Sequence, residues 1–249
     1  MTPEQIAKVR QHTLAVLGEH FTKEKFVDIS RWNWNKPVDF NKLKGLNIKG
    51  LAIKATEGAH IVDSAYHKAY AGAKAAGLRV SPYLFYRPQE SIAEQVALFV
   101  KTVGQLAPDD LIPTIDLERA TPDIAAKHDN ELLDEIIARL KTAFGKLPLI
   151  YTSRRYCEQE GITTGGQCWG WMVDYQSHKD FKVAPQWVGH VAAIQIGFCN
   201  NLDGIEGDVD WDLLLVPWQT LALFDAPVTL PLIDTIPLSA PAPVPPDLR

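Results

Sequence analysis

The sequence predicts an α/β fold, a modified TIM-like barrel of five β/α units and three further strands, with an extra N-terminal helix and a Pro-rich C-terminal tail. Up to about residue 153, short apolar runs alternate with segments of helical periodicity, which is typical of a parallel sheet covered by helices. Beyond that point the helical segments thin out, and strands with Gly-rich turns dominate. A chain of 249 residues suits one barrel domain.

Each element follows from its local pattern. Apolar side chains at helical spacing predict an amphipathic helix over residues 3–20. Strands are expected at 26–30, 50–58, 79–86, 111–118, 148–152, 169–175, 192–196 and 204–213, and further helices at 64–76, 91–103 and 129–144, with Ser64 as a helix cap. The stretch 226–249 has seven prolines and no period, which indicates an extended tail. We therefore divide the chain into an N-terminal helix (1–22), a barrel domain (23–225) and a tail (226–249).

Composition and charge argue against several classes of function and of location. The net charge is −5 and no basic stripe occurs, so we expect no nucleic-acid partner. No apolar run reaches about 18 residues, so no membrane span is expected. The first ten residues include acidic and amide side chains rather than an apolar core, so we expect no secretory signal peptide. We expect a monomer whose tail contacts either its own surface or a partner.

The three cysteines are Cys157, Cys168 and Cys199. Their spacing matches neither a CxxC motif nor a Cys/His metal site, so we expect no metal to be bound by them. The simplest interpretation is free or buried thiols, and a Cys157–Cys168 disulfide is the alternative.

Two carboxylates end the apolar run at 111–118. Asp116 and Glu118 are two residues apart, so in a strand both side chains project from the same face. Such a pair is suited to glycoside hydrolysis, in which one carboxyl stays protonated as general acid while the other stays charged. The alternative is a strand end whose acids face solvent or pair with Arg119.

Other polar residues are expected at the same end of the barrel. Asp28, Glu57 and Tyr151 each fall near the carboxyl end of a predicted strand, and Asp210 lies inside the last strand segment. A barrel of parallel strands carries its reactive groups at that end. The pattern therefore predicts an active site there. Trp32 and Trp34, in the loop after the first strand, either stack on sugar rings or cap the core.

Seven blocks in order resemble glycoside hydrolase family 25, the Chalaropsis-type lysozymes (N-acetylmuramidases). The blocks are residues 26–32, 51–58, 82–88, 113–118, 150–153, 171–175 and 194–210. Three of them depart from the family pattern: Leu84 replaces a histidine, Asp174 is an added acid, and Ile194 and Ile196 replace aromatic residues.

The resemblance implies cleavage of the β-1,4 bond that follows N-acetylmuramic acid in the glycan strands of peptidoglycan, with retention of configuration and no cofactor. It implies that Glu118 is the proton donor, that Asp116 assists it, and that Asp28 and Asp210 complete the acidic floor. The substrate-binding residues that we expect are Lys54, Glu57, Tyr83, Phe85, Tyr151, Trp171, Tyr175 and Gln195.

Other functions remain open at the sequence level. A catalytically silent wall-binding module would lack one of the acids, and a chitinase-like enzyme would carry a longer acidic run than residues 115–118. An interaction protein would use the 3–20 helix and the tail. Without a signal peptide, we expect synthesis in the cytoplasm and release to the wall by a phage-type holin or an injection machine.

Overall fold

A computed structural model describes residues 24–34, 36–118, 130–173, 183–200 and 202–222. Within these ranges, eight strands close into a barrel and helices cover its outside. The predicted helix at 3–20 and the predicted tail at 226–249 lie outside the described residues.

The barrel elements follow one another along the chain. The strands are β1 (Lys25–Ile29), β2 (Ile48–Glu57), β3 (Ile61–Val62), β4 (Arg79–Phe85), β5 (Thr114–Asp116), β6 (Leu149–Thr152), β7 (Gly170–Val173), β8 (Val191–Asn200) and β9 (Asp208–Leu214). The helices are α1 (Phe40–Gly45), α2 (Tyr66–Ala75), α3 (Ile92–Val103), α4 (Asn130–Phe144), α5 (Arg154–Glu160) and α6 (Trp218–Leu221), with short 3-10 helices at Arg31–Asn33 and Pro185–Trp187.

The sheet has the mixed topology expected from the sequence. Strands β1, β2, β4, β5, β6, β7 and β8 pair in this order, each parallel to the next. Strand β9 is antiparallel to both β8 and β1 and closes the barrel. The short β3 adds only a hairpin to β2. The predicted modified barrel is therefore confirmed, and its polar end is the one where the parallel strands finish.

Two apolar clusters hold the sheet from opposite sides. Alternate residues of each strand, such as Ile115 on β5 and Ile150 on β6, pack in one cluster with residues of the covering helices. The residues between them, such as Tyr151 and Trp171, belong to a second cluster together with Phe26 and Tyr83. This two-residue alternation is the reason why residues 116 and 118 share a side while Leu117, which lies between them, is buried in the first cluster.

Several local predictions need correction. Strand β5 ends at Asp116, so Glu118 lies two residues beyond it rather than within it. Helix α2 begins at Tyr66, and the side chain that accepts a hydrogen bond before it belongs to Asp63, not Ser64. Helix α5 was not predicted, because its seven residues are too few to show a helical period.

The cysteine alternative is also resolved. Cys157, Cys168 and Cys199 are all free and buried, so the suggested Cys157–Cys168 disulfide is wrong. Burial raises the pKa of Cys157 to about 11 and that of Cys168 to about 12, so neither is a ready nucleophile.

Candidate active site

A cleft of about 400 Å³ opens at the carboxyl ends of the strands. Its lining consists of Asp28, Ser30, Trp32, Asn33, Lys54, Tyr83, Phe85, Thr114, Asp116, Glu118, Tyr151, Trp171, Gln195, Asp208 and Asp210. Ten of the twelve site residues that the sequence suggested are among them. Of the other two, Glu57 does not line the cleft, and Tyr175 lies outside the described residues.

The barrel brings the four acids together from three strands. Asp28 on β1 pairs in register with Asp210 on β9, so these two lie side by side. Asp116 ends β5, and Glu118 follows it on the same side of the chain. Long-range pairing therefore gathers carboxyl groups that are far apart in sequence at one mouth of the barrel.

Asp116 is more deeply buried than Glu118. It is 8% exposed, and its Oδ1 atom has no hydrogen-bond partner among the described residues. Burial raises the pKa of Asp116 well above its ordinary value, and the negative charge of Glu118 adds to the rise, whereas Lys54 opposes it. An unpartnered buried carboxylate oxygen is costly, so this atom is available to a donor from a ligand.

Glu118 and Asp28 also have raised pKa values. For Glu118 the cause is burial, and the ammonium group of Lys54 partly offsets it. For Asp28 burial comes first, the charges of Asp210 and Glu118 add to it, and a hydrogen bond from Gln195 opposes it. Because burial and neighbouring negative charges both oppose ionisation, Asp28, Asp116 and Glu118 keep their protons to higher pH than isolated carboxyl groups do.

A charged cluster stands beside the acids. The Nζ atom of Lys54 lies 2.6 Å from Glu57 Oε2 and 4.4 Å from the centre of the Phe85 ring. Arg87 binds the other oxygen of Glu57 and stacks on the same ring at 4.9 Å. Burial alone would raise the pKa of Glu57, but the hydrogen bonds from Lys54 and Arg87 bring it below its ordinary value. Glu57 therefore holds Lys54 in place beside the acids.

The position of Glu57 follows from a shift in register. The pairing of β2 with β4 is irregular between Lys54 and Thr56, so the two-residue alternation breaks there and Glu57 pairs with Phe85, which lines the cleft. Thr56 is fully buried, and Glu57 turns towards Arg87, which follows the neighbouring strand. The sequence alone does not show such an irregularity.

Hydrogen bonds tie the aromatic wall to the acids. The hydroxyl of Tyr151 donates to Gln195 Oε1 at 2.8 Å, and the Nε2 amide of Gln195 donates to Asp28 Oδ2 at 3.0 Å. The rings of Tyr151 and Trp171 pack edge to face with centroids 4.8 Å apart. The indole Nε1 of Trp171 donates to Asp212 Oδ1 at 2.8 Å. The wall is thus fixed before any ligand arrives.

Sequence reasoning missed four polar residues of the cleft lining, which are Ser30, Asn33, Thr114 and Asp208. Asn33 reaches across to the backbone oxygen of Asp208 at 2.8 Å and links the turn after β1 to the start of β9. Asp208 could have been found from its two-residue spacing to Asp210, whereas Asn33 has no local signal.

Two of the departures from the family pattern lie away from the cleft. Leu84 is fully buried and Ile194 is 5% exposed, and both pack in the cluster that contains the helix residues. Ile196 packs against the same cluster. Asp174 lies outside the described residues. The substitutions at positions 84, 194 and 196 therefore change the packing on the helix side of the strands and not the lining of the cleft.

The arrangement suits acid-assisted cleavage. Paired carboxyl groups with raised pKa values can hold a proton and deliver it to a leaving oxygen.

Among the described residues, no group of three or more His, Cys, Asp or Glu side chains is placed to hold a metal ion. In the same part of the chain, no helix is long and apolar enough to cross a membrane.

Comparison with known proteins gives one family. Residues 27–193 match the family described as glycosyl hydrolases family 25. The autolytic lysozyme of Clostridium acetobutylicum is 28% identical over 178 residues, which cover 70% of this chain and 51% of that protein.

Solved structures share the barrel. A family GH25 lysozyme from Aspergillus fumigatus is 25% identical with a TM-score of 0.66, over 80% of this chain and 97% of that one. The CTP1L endolysin is 23% identical with a TM-score of 0.60, over 77% of this chain and 66% of that one.

Proposed function

Since the chain belongs to glycosyl hydrolases family 25, we propose that it is a lysozyme-type peptidoglycan hydrolase with Glu118 as its general acid. The bond cleaved is the β-1,4 linkage between N-acetylmuramic acid and N-acetylglucosamine. The observation that carries this proposal is the pairing of Asp116 and Glu118 in the same cleft, where burial raises the pKa of both.

The free cleft and the substrate complex differ in where the proton lies. In the free cleft, the Asp116–Glu118 pair shares a proton because both acids are buried close together. The unpartnered Oδ1 atom of Asp116 is a fitting acceptor for the N–H of the substrate's acetamido group. That hydrogen bond favours the ionised form of Asp116, so the proton resides on Glu118 when substrate is bound.

Bond cleavage then follows from this charge distribution. Glu118 gives its proton to the glycosidic oxygen as the bond to the anomeric carbon breaks. Asp116 orients the acetamido oxygen, which attacks the anomeric carbon from the other face and forms an oxazolinium ion. Water then attacks the anomeric carbon of this ion while it gives a proton to the Glu118 carboxylate, so two inversions give net retention. The carboxyl oxygens of Asp28 and Asp210, which line the same cleft, stabilise the positive charge of the transition state.

The remaining lining residues bind the glycan. Tyr83, Phe85 and Trp171 offer aromatic faces and edges to sugar rings, and Trp32 extends this surface at the rim. Lys54, held by Glu57, and Gln195, held by Tyr151, contribute donors at fixed positions. We propose that these residues align the glycan strand along the cleft.

The product identifies the reaction. We would incubate the purified chain with insoluble peptidoglycan, reduce the new ends with borohydride and identify them by mass spectrometry. New N-acetylmuramic acid ends support the proposal. New N-acetylglucosamine ends would overturn the position of cleavage, and wall binding without any new ends would favour a silent binding module.

The proposal also covers where the protein acts and how it reaches that place. We propose that the chain acts as a monomer on the cell wall after release by a holin or an injection machine, as would suit an endolysin-like protein. The barrel that it shares with the CTP1L endolysin supports this setting. Lysis of cells that co-express a holin, compared with cells that lack it, tests the route.

A further inference from the structure

One buried acid has no part in the mechanism above. Asp212 is fully buried and lies on β9, two residues after Asp210 and on the same side of the strand. In the sheet it pairs with Phe26 on β1 and with Gln195 on β8. It therefore lies one layer below the acids of the cleft, inside the barrel.

The contacts of Asp212 point to one residue of the cleft wall. Its Oδ1 atom accepts the 2.8 Å hydrogen bond from the indole of Trp171, and its Oδ2 atom has no partner among the described residues. Trp171 is 3% exposed, lines the cleft and packs against Tyr151. The acid thus connects the barrel interior to the aromatic wall.

The fold alone does not call for an acid at this position. A buried carboxyl group with a single hydrogen bond loses more in desolvation than it recovers, and an apolar side chain of similar size would pack there at lower cost. What an apolar side chain cannot do is accept the indole hydrogen bond. The feature that Asp212 provides is therefore the orientation of Trp171.

We propose that Asp212 is a positioning residue that anchors the indole of Trp171 at the cleft wall and, through the packed rings, keeps Tyr151 in place for Gln195. This inference rests on the proposed function, because it assigns Trp171 to the glycan-binding wall. The anchoring itself is a property of the free protein and can be measured without substrate.

The surroundings of Asp212 favour its uncharged form. The charged groups that act on it are Asp28 on β1 and Asp210 on its own strand, while β7 and β8 contribute the non-titrating Trp171 and Gln195. Burial, followed by these two acids, raises the pKa of Asp212 well above its ordinary value, and the Trp171 hydrogen bond opposes the rise. An uncharged acid accepts the indole hydrogen bond without adding another negative charge below the cleft.

The anchoring can be tested by the indole N–H signals of the free protein. The chain has seven tryptophans, and the signal that disappears in Trp171→Phe belongs to Trp171. We expect this signal to keep its hydrogen-bonded position in Asp212→Asn and to move upfield in Asp212→Leu. An unmoved signal in Asp212→Leu, or a signal displaced as far in Asp212→Asn as in Asp212→Leu, would overturn the proposal.

Kinetics on peptidoglycan distinguish positioning from a general loss of stability. Asp212→Leu is expected to lower kcat/KM about tenfold in the native background but less than twofold in the Trp171→Phe background. Asp212→Asn should restore most of the loss. Equal losses in both backgrounds would contradict the proposal. If the native chain released no muramic acid ends, the proposed function would fail while the indole signals still decided the anchoring.

Discussion

The Nε2 amide of Gln195 lies 3.0 Å from Asp28 Oδ2, and its carbonyl oxygen accepts the hydroxyl of Tyr151 at 2.8 Å. The side-chain amide therefore faces an acid on one side and the aromatic wall on the other. Its N–H group stabilises the ionised form of Asp28 against the effects of burial and of Asp210.

Gln195→Leu should lower kcat about tenfold, the effect of losing one hydrogen bond to a charged group, of roughly 1.5 kcal/mol. Without the amide donor the pKa of Asp28 rises further, so the acid must ionise at higher pH. The acidic limb of the pH–rate profile is expected to move to higher pH. Tyr151→Phe is the matched control, because it removes the other hydrogen bond of the same amide and keeps the donor to Asp28. An unchanged acidic limb in Gln195→Leu would show that Asp28 need not be ionised.

Lys54 sets the alkaline limit of activity in this account. Its charge lowers the pKa of Asp116 and of Glu118, so Lys54→Met should raise both. A general acid works only below its own pKa, so the alkaline limb is expected to move to higher pH by about 0.5–1 unit.

Arg87→Met provides the control for this measurement. Arg87 contacts Glu57 and Phe85 as Lys54 does, but it does not line the cleft. We expect its alkaline limb to stay where the native one lies. Equal shifts in the two variants would mean that the cluster acts as a whole and not through the charge of Lys54.

Trp32 should contribute to binding and not to stability. It lines the cleft and is 73% exposed, so Trp32→Ala removes little buried area and should leave the midpoint of thermal unfolding unchanged. Losing one aromatic contact of about 0.5–1.5 kcal/mol predicts a two- to tenfold higher KM on polymeric peptidoglycan with little change in kcat.

The control for Trp32 is another exposed apolar residue. Val188 precedes β8, so it lies at the opposite end of the barrel, and it is 38% exposed. Val188→Ala should leave both KM and kcat at native values. A similar KM for the two variants would contradict a binding role for Trp32.

Local patterns were sufficient for the barrel and for the acid pair. The alternation of apolar residues around Asp116 and Glu118 gave the shared face, and the order of strands gave the end of the barrel at which they lie. Both depend on short-range periodicity, which a single sequence displays.

The features of the site that the sequence did not predict depend on contacts between residues far apart in the chain. The irregular register near Lys54 directs Glu57 towards Arg87, and only the sheet pairing reveals it. The contact between Asp212 and Trp171 joins residues 41 positions apart, and burial of an acid cannot be read from its own segment. Predicting such details requires the register of all strands.

The central claim is that Glu118 delivers the proton to the leaving oxygen. The most direct measurement compares Glu118→Gln with the native chain for release of N-acetylmuramic acid ends and for binding to the same peptidoglycan. The amide cannot donate a proton as an acid, so kcat should fall at least about a thousandfold while binding stays within about twofold. Near-native release of these ends by Glu118→Gln would contradict the account and move the proton donor to another acid of the cleft.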